Sequence, residues 1–304
     1  MTRILVFGAG SNAKIFTEYI KTKNDYQIVG YIDNNCNMTE KNLRGGWMVK
    51  SPAEICNFEY DKIVVTVSSK VARDEIRRQL IKLQVPQEKC IFLLEDDELK
   101  LKVFSYHNRY DESDCRVNWV KAYSKYVYSE NIKGNVAECG VNRGEFAYYI
   151  NKFFYDRQCY LFDTFEGFAQ EDLKEERAIG DEAFLNGDFN KDEQFLCTSV
   201  EVVKRRLVNP DLCRFFVGYF PKSAATVQDE FCFVNLDMDL YKPMLEGLKF
   251  FYPKMTHGGV ILLHDYFHPE LPGVKKAVKD FEEYVGETLH KMPIGDYCSI
   301  AVLR

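Results

Sequence analysis

Apolar residues fall in short blocks along the chain, separated by polar stretches that carry glycine and acid. Residues 3–7, 27–33, 62–67 and 90–94 each hold such a block. An apolar run bounded by turn residues reads as a buried strand. Residues 11–21 and 70–83 read as helices between them. The second stops at Val85-Pro86, because proline disfavours helix in the residue before it. Strands alternating with helices predict an α/β fold with a parallel sheet.

The alternation returns further on. Residues 135–138 read as a strand ending in Glu138, then a turn with glycines at 140 and 144, then a helix over 145–154. Residues 159–163 give the next strand, which ends in Asp163. Residues 166–197 are polar and rich in acids, among them Glu171, Asp172, Glu175, Glu176, Asp181, Glu182 and Asp188. So long a stretch without structure of its own reads as a lid over a site, or as a solvated face. Thr198-Ser-Val-Glu201 has the capping-box pattern that opens a helix. Two further apolar runs end in Asn235-Leu-Asp-Met-Asp-Leu-Tyr241 and Gly258-Gly-Val-Ile-Leu-Leu-His-Asp-Tyr266. Residues 289–304 read as a hairpin around Gly295-Asp296. Residues 117–129 read as an amphipathic helix with Trp119, Ala122 and Tyr126 on one face, which packs on the sheet or caps a pocket. Residues 95–102 are charged and read as a linker or a solvated helix end.

In an open α/β sheet, ligands gather beyond the carboxyl ends of the strands. Asp237, Asp239, His264 and Asp265 all follow such ends. Three carboxylates and an imidazole on one edge suit a metal site or an acid/base site. Glycine lets backbone approach a ligand closely and turn with positive φ. Asp163 lies about twenty residues after the glycines, where a ribose-binding carboxylate belongs.

The chain opens with a related signature. Gly8-Ala-Gly-Ser-Asn-Ala13 follows the first strand, and the second strand ends in Asp33. Gly8, Gly10, Ser11, Asn12 and Asp33 are therefore candidate nucleotide-binding residues. Three readings stand: a nucleotide or nucleotide-sugar site, a structural or dimerisation role, and redox use of NAD.

Residues from about 115 to 304 resemble an S-adenosylmethionine-dependent methyltransferase of the macrocin O-methyltransferase (TylF-type) family of sugar methylases. The pieces that carry the likeness are ECGVNRGEF (138–146), FDTFEGF (162–168), TSVEVVKRRL (198–207), GYFPKS (218–223), NLDMDLYKPMLEGL (235–248) and GGVILLHDY (258–266). The resemblance implies a class I methyltransferase sheet of seven strands. It implies a cofactor cradle at Glu138, Gly140, Val141, Asn142 and Gly144, with Asp163, Thr164 and Phe165 beside the ribose. It implies a divalent metal on Asp237 and Asp265 that orients a sugar hydroxyl. The chain departs from the pattern at His264, where many relatives carry an acid.

Magnesium prefers oxygen ligands, so Asp237 and Asp265 suit it. His264 has three open roles: a third ligand, which favours a softer metal; the base that takes the hydroxyl proton; or a structural histidine. Asp239 is expected to orient a ligand or the acceptor. The candidate catalytic set is His264, Asp237 and Asp239.

Bulk properties fit an enzyme of two domains, expected at 1–98 and 99–304. A net charge of −6 over 304 residues gives no basic field for nucleic acid or anionic lipid. The longest apolar runs fall short of a membrane span, and the start is expected to enter a strand rather than form a signal peptide. Ten cysteines without a Cys-x-x-Cys suit reduced thiols in the cytoplasm. A homo-oligomer acting on a sugar or nucleotide-sugar is expected. The rival reading is a nucleotide-sugar-binding or scaffolding protein with an inactive methyltransferase fold. A metal-dependent hydrolase lacks a fourth metal ligand.

Overall fold

The computed structural model describes residues 1–36, 48–179 and 197–304. The chain divides into two compact units, Met1–His107 and Asn108–Arg304.

The first unit holds β1 (Thr2–Phe7), α1 (Ser11–Lys21), β2 (Tyr26–Ile32), β3 (Val49–Lys50), β4 (Lys62–Val65), α2 (Lys70–Lys82), β5 (Cys90–Phe92) and α3 (Asp97–Tyr106). Its five strands run in the order β3-β2-β1-β4-β5, and every pairing is parallel. Leu5, Phe7, Ile32, Ile63, Val65, Ile76 and Leu80 fill its core. Residues 95–102, expected as linker or helix end, fall largely in α3. Asp96 caps this helix by accepting from the Leu99 amide at 2.9 Å. Val103 and Phe104 are buried, which is why so charged a segment still belongs to a packed unit.

The second unit holds α4 (Cys115–Ser129), β6 (Asn135–Cys139), α5 (Ala147–Phe153), β7 (Cys159–Asp163), α6 (Gln170–Ile179), α7 (Val200–Arg206), β8 (Cys213–Val217), β9 (Phe231–Leu236), α8 (Tyr241–Phe251), β10 (Met255–Leu263), α9 (Pro272–Val285), β11 (His290–Pro293) and β12 (Ile300–Leu303). The expected seven-stranded sheet is present, in the order β11-β12-β10-β9-β6-β7-β8. β12 is antiparallel to both β10 and β11, and these last two strands are the terminal hairpin. The central strands are parallel and covered on both faces, so they read as apolar runs. One face packs Val234 and Leu236 against Met244, Leu248, Val274 and Val278. The other packs Phe233 and Leu262 against Val117, Val120, Val127 and Ile150. Chain order reverses between β6 and β9, which places a crevice at their carboxyl ends.

Three local expectations need correction. The buried stripe of α4 is Arg116, Val117, Val120, Tyr123, Ser124 and Val127, not Trp119, Ala122 and Tyr126. Aromatic residues occur all round this helix, so apolar spacing alone picked the wrong side. α7 is capped by Ser199, whose hydroxyl accepts from the Val202 amide at 3.2 Å. Thr198 instead donates its hydroxyl to the Asn142 carbonyl. Part of the expected lid is helix: α6 buries Asp172, Leu173 and Glu176. The rest of that expectation, residues 180–196, lies outside the described residues.

Candidate active site

β6 delivers Glu138 to the crevice with 1% of its surface exposed. Its Oε1 accepts from Asn235 Nδ2 at 2.9 Å. Its Oε2 is buried with no hydrogen-bond partner. Burial, reinforced by the charge of Asp237, pushes this carboxyl well above its ordinary range. The chain then turns at Gly140, where φ is +83°. A Cβ there would lie 1.8 Å from the Asp237 carbonyl oxygen, so only glycine lets the turn after β6 touch the backbone leaving β9. Val141 is buried behind it. Gly144, with φ +72°, abuts Val203 of α7, whose Cγ1 would be 2.7 Å from an added Cβ.

Asp163 ends β7 and ties two loops together. One oxygen accepts from the Asn142 amide and the other from the Phe165 amide, both at 2.7 Å. Thr164 donates its hydroxyl to the Gly167 carbonyl at 2.8 Å. Each carboxylate oxygen has room for a second donor, so a ribose hydroxyl would share Asp163 with these amides.

Past β9 and β10 the acids converge. Asp237, Asp239 and Asp265 each offer an oxygen within 4.8 Å of the others. Asp239 and Asp265 both have φ +59°, a left-handed conformation that aspartate tolerates better than most residues. His264 Nδ1 lies 2.8 Å from Asp265 Oδ2 and 3.2 Å from Asp237 Oδ1. On the other side, Arg116 Nη2 lies 3.0 Å from Asp237 Oδ2 and 2.7 Å from Asn235 Oδ1. The Arg116 guanidinium stacks 3.9 Å from the centre of the Phe146 ring.

Charge in this cluster is balanced internally. Burial opposes ionisation of Asp237, but His264 and Arg116 outweigh it and hold the carboxyl below its ordinary range. Asp265 is likewise held low, against burial, by His264. Burial and the charges of Asp237 and Asp265 push Asp239 well above that range. Burial works against a charged His264, yet Asp237 prevails and the imidazole is pushed up to about 12. Arg116 and His264 thus both stand against Asp237, and His264 also stands against Asp265.

The predicted residues of the second unit come together around one cavity of about 340 Å³, with Glu138, Asn142, Asp163, Asp237, Asp239 and His264 among its walls. Gly144 and Phe165 lie beside it without lining it. Reasoning from sequence missed the place of three polar side chains. Arg116 is buried beneath Asp237. Arg109 lines the cavity, with Nε 3.2 Å from Glu145 Oε2. Asp172 on α6 lines it too and accepts from the Tyr219 hydroxyl at 2.8 Å. Only Arg116 left a trace in the sequence, as a charge on an otherwise apolar helical stripe.

In the first unit, Gly8, Gly10, Ser11, Asn12 and Asp33 also meet at the strand ends. Gly8 has φ +106°, and a Cβ there would lie 2.8 Å from Thr66 Oγ1. Asp33 accepts from the amides of Ala9 and Asn35, each at 2.8 Å. Asn12 Nδ2 donates to Ser68 Oγ at 3.0 Å.

A family model described as macrocin-O-methyltransferase (TylF) matches residues 113–296. The chain belongs to this family. A second model, C2185-like, N-terminal, matches residues 1–91. Among TylF-type relatives, demethyldecarbamoylnovobiocin O-methyltransferase of Streptomyces niveus is 28% identical over 165 residues, 51% of this chain and 60% of its own. The match therefore spans less than two thirds of that relative. Mycinamicin III 3''-O-methyltransferase of Micromonospora griseorubida is 25% identical over 185 residues, covering 56% and 69%. The solved structure of the O-methyltransferase NovP shares the fold at a TM-score of 0.53 and 24% identity, over 68% of this chain and 97% of that one. The second unit thus has the class I methyltransferase fold of the TylF-type family.

The residues present fit both groups that the family implies. An orphaned carboxylate oxygen on Glu138, beside a turn with no room for a Cβ, suits a cofactor rich in donors. Three carboxylates at one point suit a hard divalent cation.

Proposed function

We propose that this chain transfers a methyl group from S-adenosylmethionine to a sugar hydroxyl, with magnesium on Asp237 and Asp265. The observation that carries the reading is one cavity holding both the orphaned Glu138 Oε2 and the three-carboxylate cluster. Relatives named as O-methyltransferases support the reaction, and the sugar class of the acceptor rests on the family.

Bound here, the cofactor would supply an electrophilic methyl on a sulfonium, and the cation would acidify and orient the acceptor hydroxyl. Glu138 and the turn 140–144 fix the donor end, with Asp163 accepting from ribose. Asp237 and Asp265 present oxygens to the cation while Arg116 holds Asp237 still. Asp239 completes the oxygen set and orients the acceptor. With a cation on Asp237 and Asp265, His264 would lose its own proton to solvent, and the neutral imidazole would then take the hydroxyl proton. Positioning of two reactants this close supplies most of what such a transfer needs.

For the first unit we propose a structural role. One oxygen of Asp33 closes its own turn at the Asn35 amide and the other ties that turn to the glycine turn at the Ala9 amide, a bracing that supports this reading.

The test is methyl transfer from labelled S-adenosylmethionine to a panel of nucleotide-linked and free sugars, with magnesium and with chelator. Labelled sugar with magnesium and none with chelator is expected. Label transfer that ignores chelator would reject the metal, and cofactor binding without transfer to any sugar would reject the acceptor class.

A further inference from the structure

The carboxylate cluster has a second face, where His264 and Asp265 meet Cys298, a group the proposed reaction does not use. Cys298 Sγ donates to Asp265 Oδ1 at 3.3 Å, and His264 Nδ1 stands 2.8 Å from the other oxygen of the same carboxylate. One ligand atom from each of His264, Asp265 and Cys298 lies within 4.8 Å of the others. This set shares only Asp265 with the set Asp237, Asp239 and Asp265.

The thiol is placed by a rigid frame. Asp296 Oδ1 accepts from the amides of Cys298 and Ser299 at 3.0 and 2.7 Å. The Cys298 carbonyl accepts from the Phe267 amide at 2.9 Å, which fastens the β11–β12 turn to the chain just past Asp265. The imidazole is available as well. Its Nδ1 is buried and close to two carboxylates, but aligned with neither as a hydrogen bond.

We propose that His264, Asp265 and Cys298 form a binding site for a thiophilic divalent ion of the zinc class, and that filling it switches the neighbouring oxygen site off. Imidazole, thiolate and carboxylate are the ligand types zinc takes, and three protein ligands with one open position are a recurrent zinc arrangement. Ligand atoms around one zinc stand roughly 3–4 Å apart, given bonds of about 2.0–2.3 Å, so small side-chain shifts close the set. Binding takes one proton from the Cys298 thiol and one from the His264 imidazolium, and both are released to solvent. The same event takes Asp265 out of the oxygen set. Magnesium, being hard, gains nothing from sulfur, so the two sets sort ions by softness as well as by position.

The site itself stands apart from the proposed methyl transfer; only its inhibitory effect rests on that reading. The test uses the full chain and cobalt(II) as a coloured stand-in for zinc. Cobalt should produce a thiolate-to-metal charge-transfer band in the near ultraviolet, and zinc should abolish it. Cys298→Ser should lack the band, and His264→Asn should weaken cobalt binding. Circular dichroism checks that both variants are folded. No band in the wild type, or an undiminished band in folded Cys298→Ser, overturns the site. On activity, the zinc concentration that halves magnesium-supported turnover should rise about tenfold or more in Cys298→Ser, the scale at which a lost metal-site partner shows. A band with turnover that ignores zinc rejects the switch alone. Turnover that ignores magnesium rejects the metal-assisted reading and leaves the cobalt result standing.

Discussion

Arg116 and Asp237, 121 residues apart in sequence, meet beneath the cavity with Nη2 3.0 Å from Oδ2. Their side chains are only 3% and 14% exposed. The same guanidinium nitrogen reaches Asn235, which reaches Glu138. A continuous polar chain therefore links the cofactor side of the crevice to the carboxylate cluster. It leads from Glu138 through Asn235 and Arg116 to Asp237, then through His264 and Asp265 to Cys298.

Arg116→Met should break this chain beneath the cavity. The apolar stem would fill the space, but Asp237 would keep a buried charge with His264 beside it and Arg109 acting from further off. Removing one partner of a buried pair costs about 3–5 kcal/mol. Urea denaturation in chelator should show a loss of that order. Arg116→Lys should recover little, because an ammonium lacks the planar fork that spans Asn235 and Asp237. A stability loss below about 1 kcal/mol, the value of an exposed pair, would mean that Arg116 does not hold Asp237.

Much of this arrangement was legible in the residues. Apolar blocks ending in acids placed Glu138, Asp163, Asp237 and Asp265 at strand ends, because parallel strands buried on both faces leave little but apolar sequence until the chain emerges. Arg116 was not legible, since a lone arginine in a helix ordinarily faces water. Its position four, seven and eleven residues before Val120, Tyr123 and Val127 is the one sign that it shares their buried face. Aromatic residues around the rest of α4 hid that sign. Arg109 sits in a loop without periodicity. Asp172 was one of many acids in a stretch read as a lid or a solvated face, with nothing to single it out. The closeness of Cys298 to Asp265 depends on β12 pairing with β10, a contact no local pattern displays.

Asp163→Ala should affect two things at once. It removes the acceptor for the Asn142 and Phe165 amides and, on the proposed reading, for the ribose hydroxyls. Leaving polar groups unpaired costs about 1–3 kcal/mol each, so the Kd for S-adenosylhomocysteine should rise roughly ten- to a hundredfold. Calorimetry on the folded variant gives the value. An unchanged affinity would remove Asp163 from the cofactor site and leave it only as a loop tie.

Gly140→Ala tests the contact between the cofactor turn and β9. A Cβ 1.8 Å from the Asp237 carbonyl oxygen cannot be accommodated without moving backbone. The positive φ adds strain for any other residue. Overpacking of this kind costs about 1–3 kcal/mol or more. Because the displaced backbone carries Asp237, magnesium affinity should fall along with cofactor affinity. Thermal unfolding and two separate titrations would show this. Loss of cofactor binding with magnesium binding intact would uncouple the two.

Asp237→Asn and Asp265→Asn test the oxygen set. Each keeps the shape of the side chain and removes a negative charge from a hard-cation site. Both should behave like the chelated enzyme, binding S-adenosylhomocysteine while failing to turn over sugar. Added magnesium should rescue neither fully. If both variants turn over normally in chelator, the acids act without a metal.

His264→Asn separates base from ligand. As the base, His264 should cost about 10²–10⁴-fold in turnover when lost, with magnesium affinity retained, since oxygen ligands already satisfy that ion. The structure adds a consequence for stability. In the metal-free chain the imidazole stands between Asp237 and Asp265. Without it those two carboxylates face each other with only Arg116 beside Asp237. Like charges so placed repel, so the metal-free variant should unfold at lower temperature than the wild type. Magnesium should then raise the melting temperature of the variant more than that of the wild type, because the cation replaces the charge that was removed. A variant whose magnesium affinity collapses, and whose turnover returns as magnesium is raised, would make His264 a ligand and not the base.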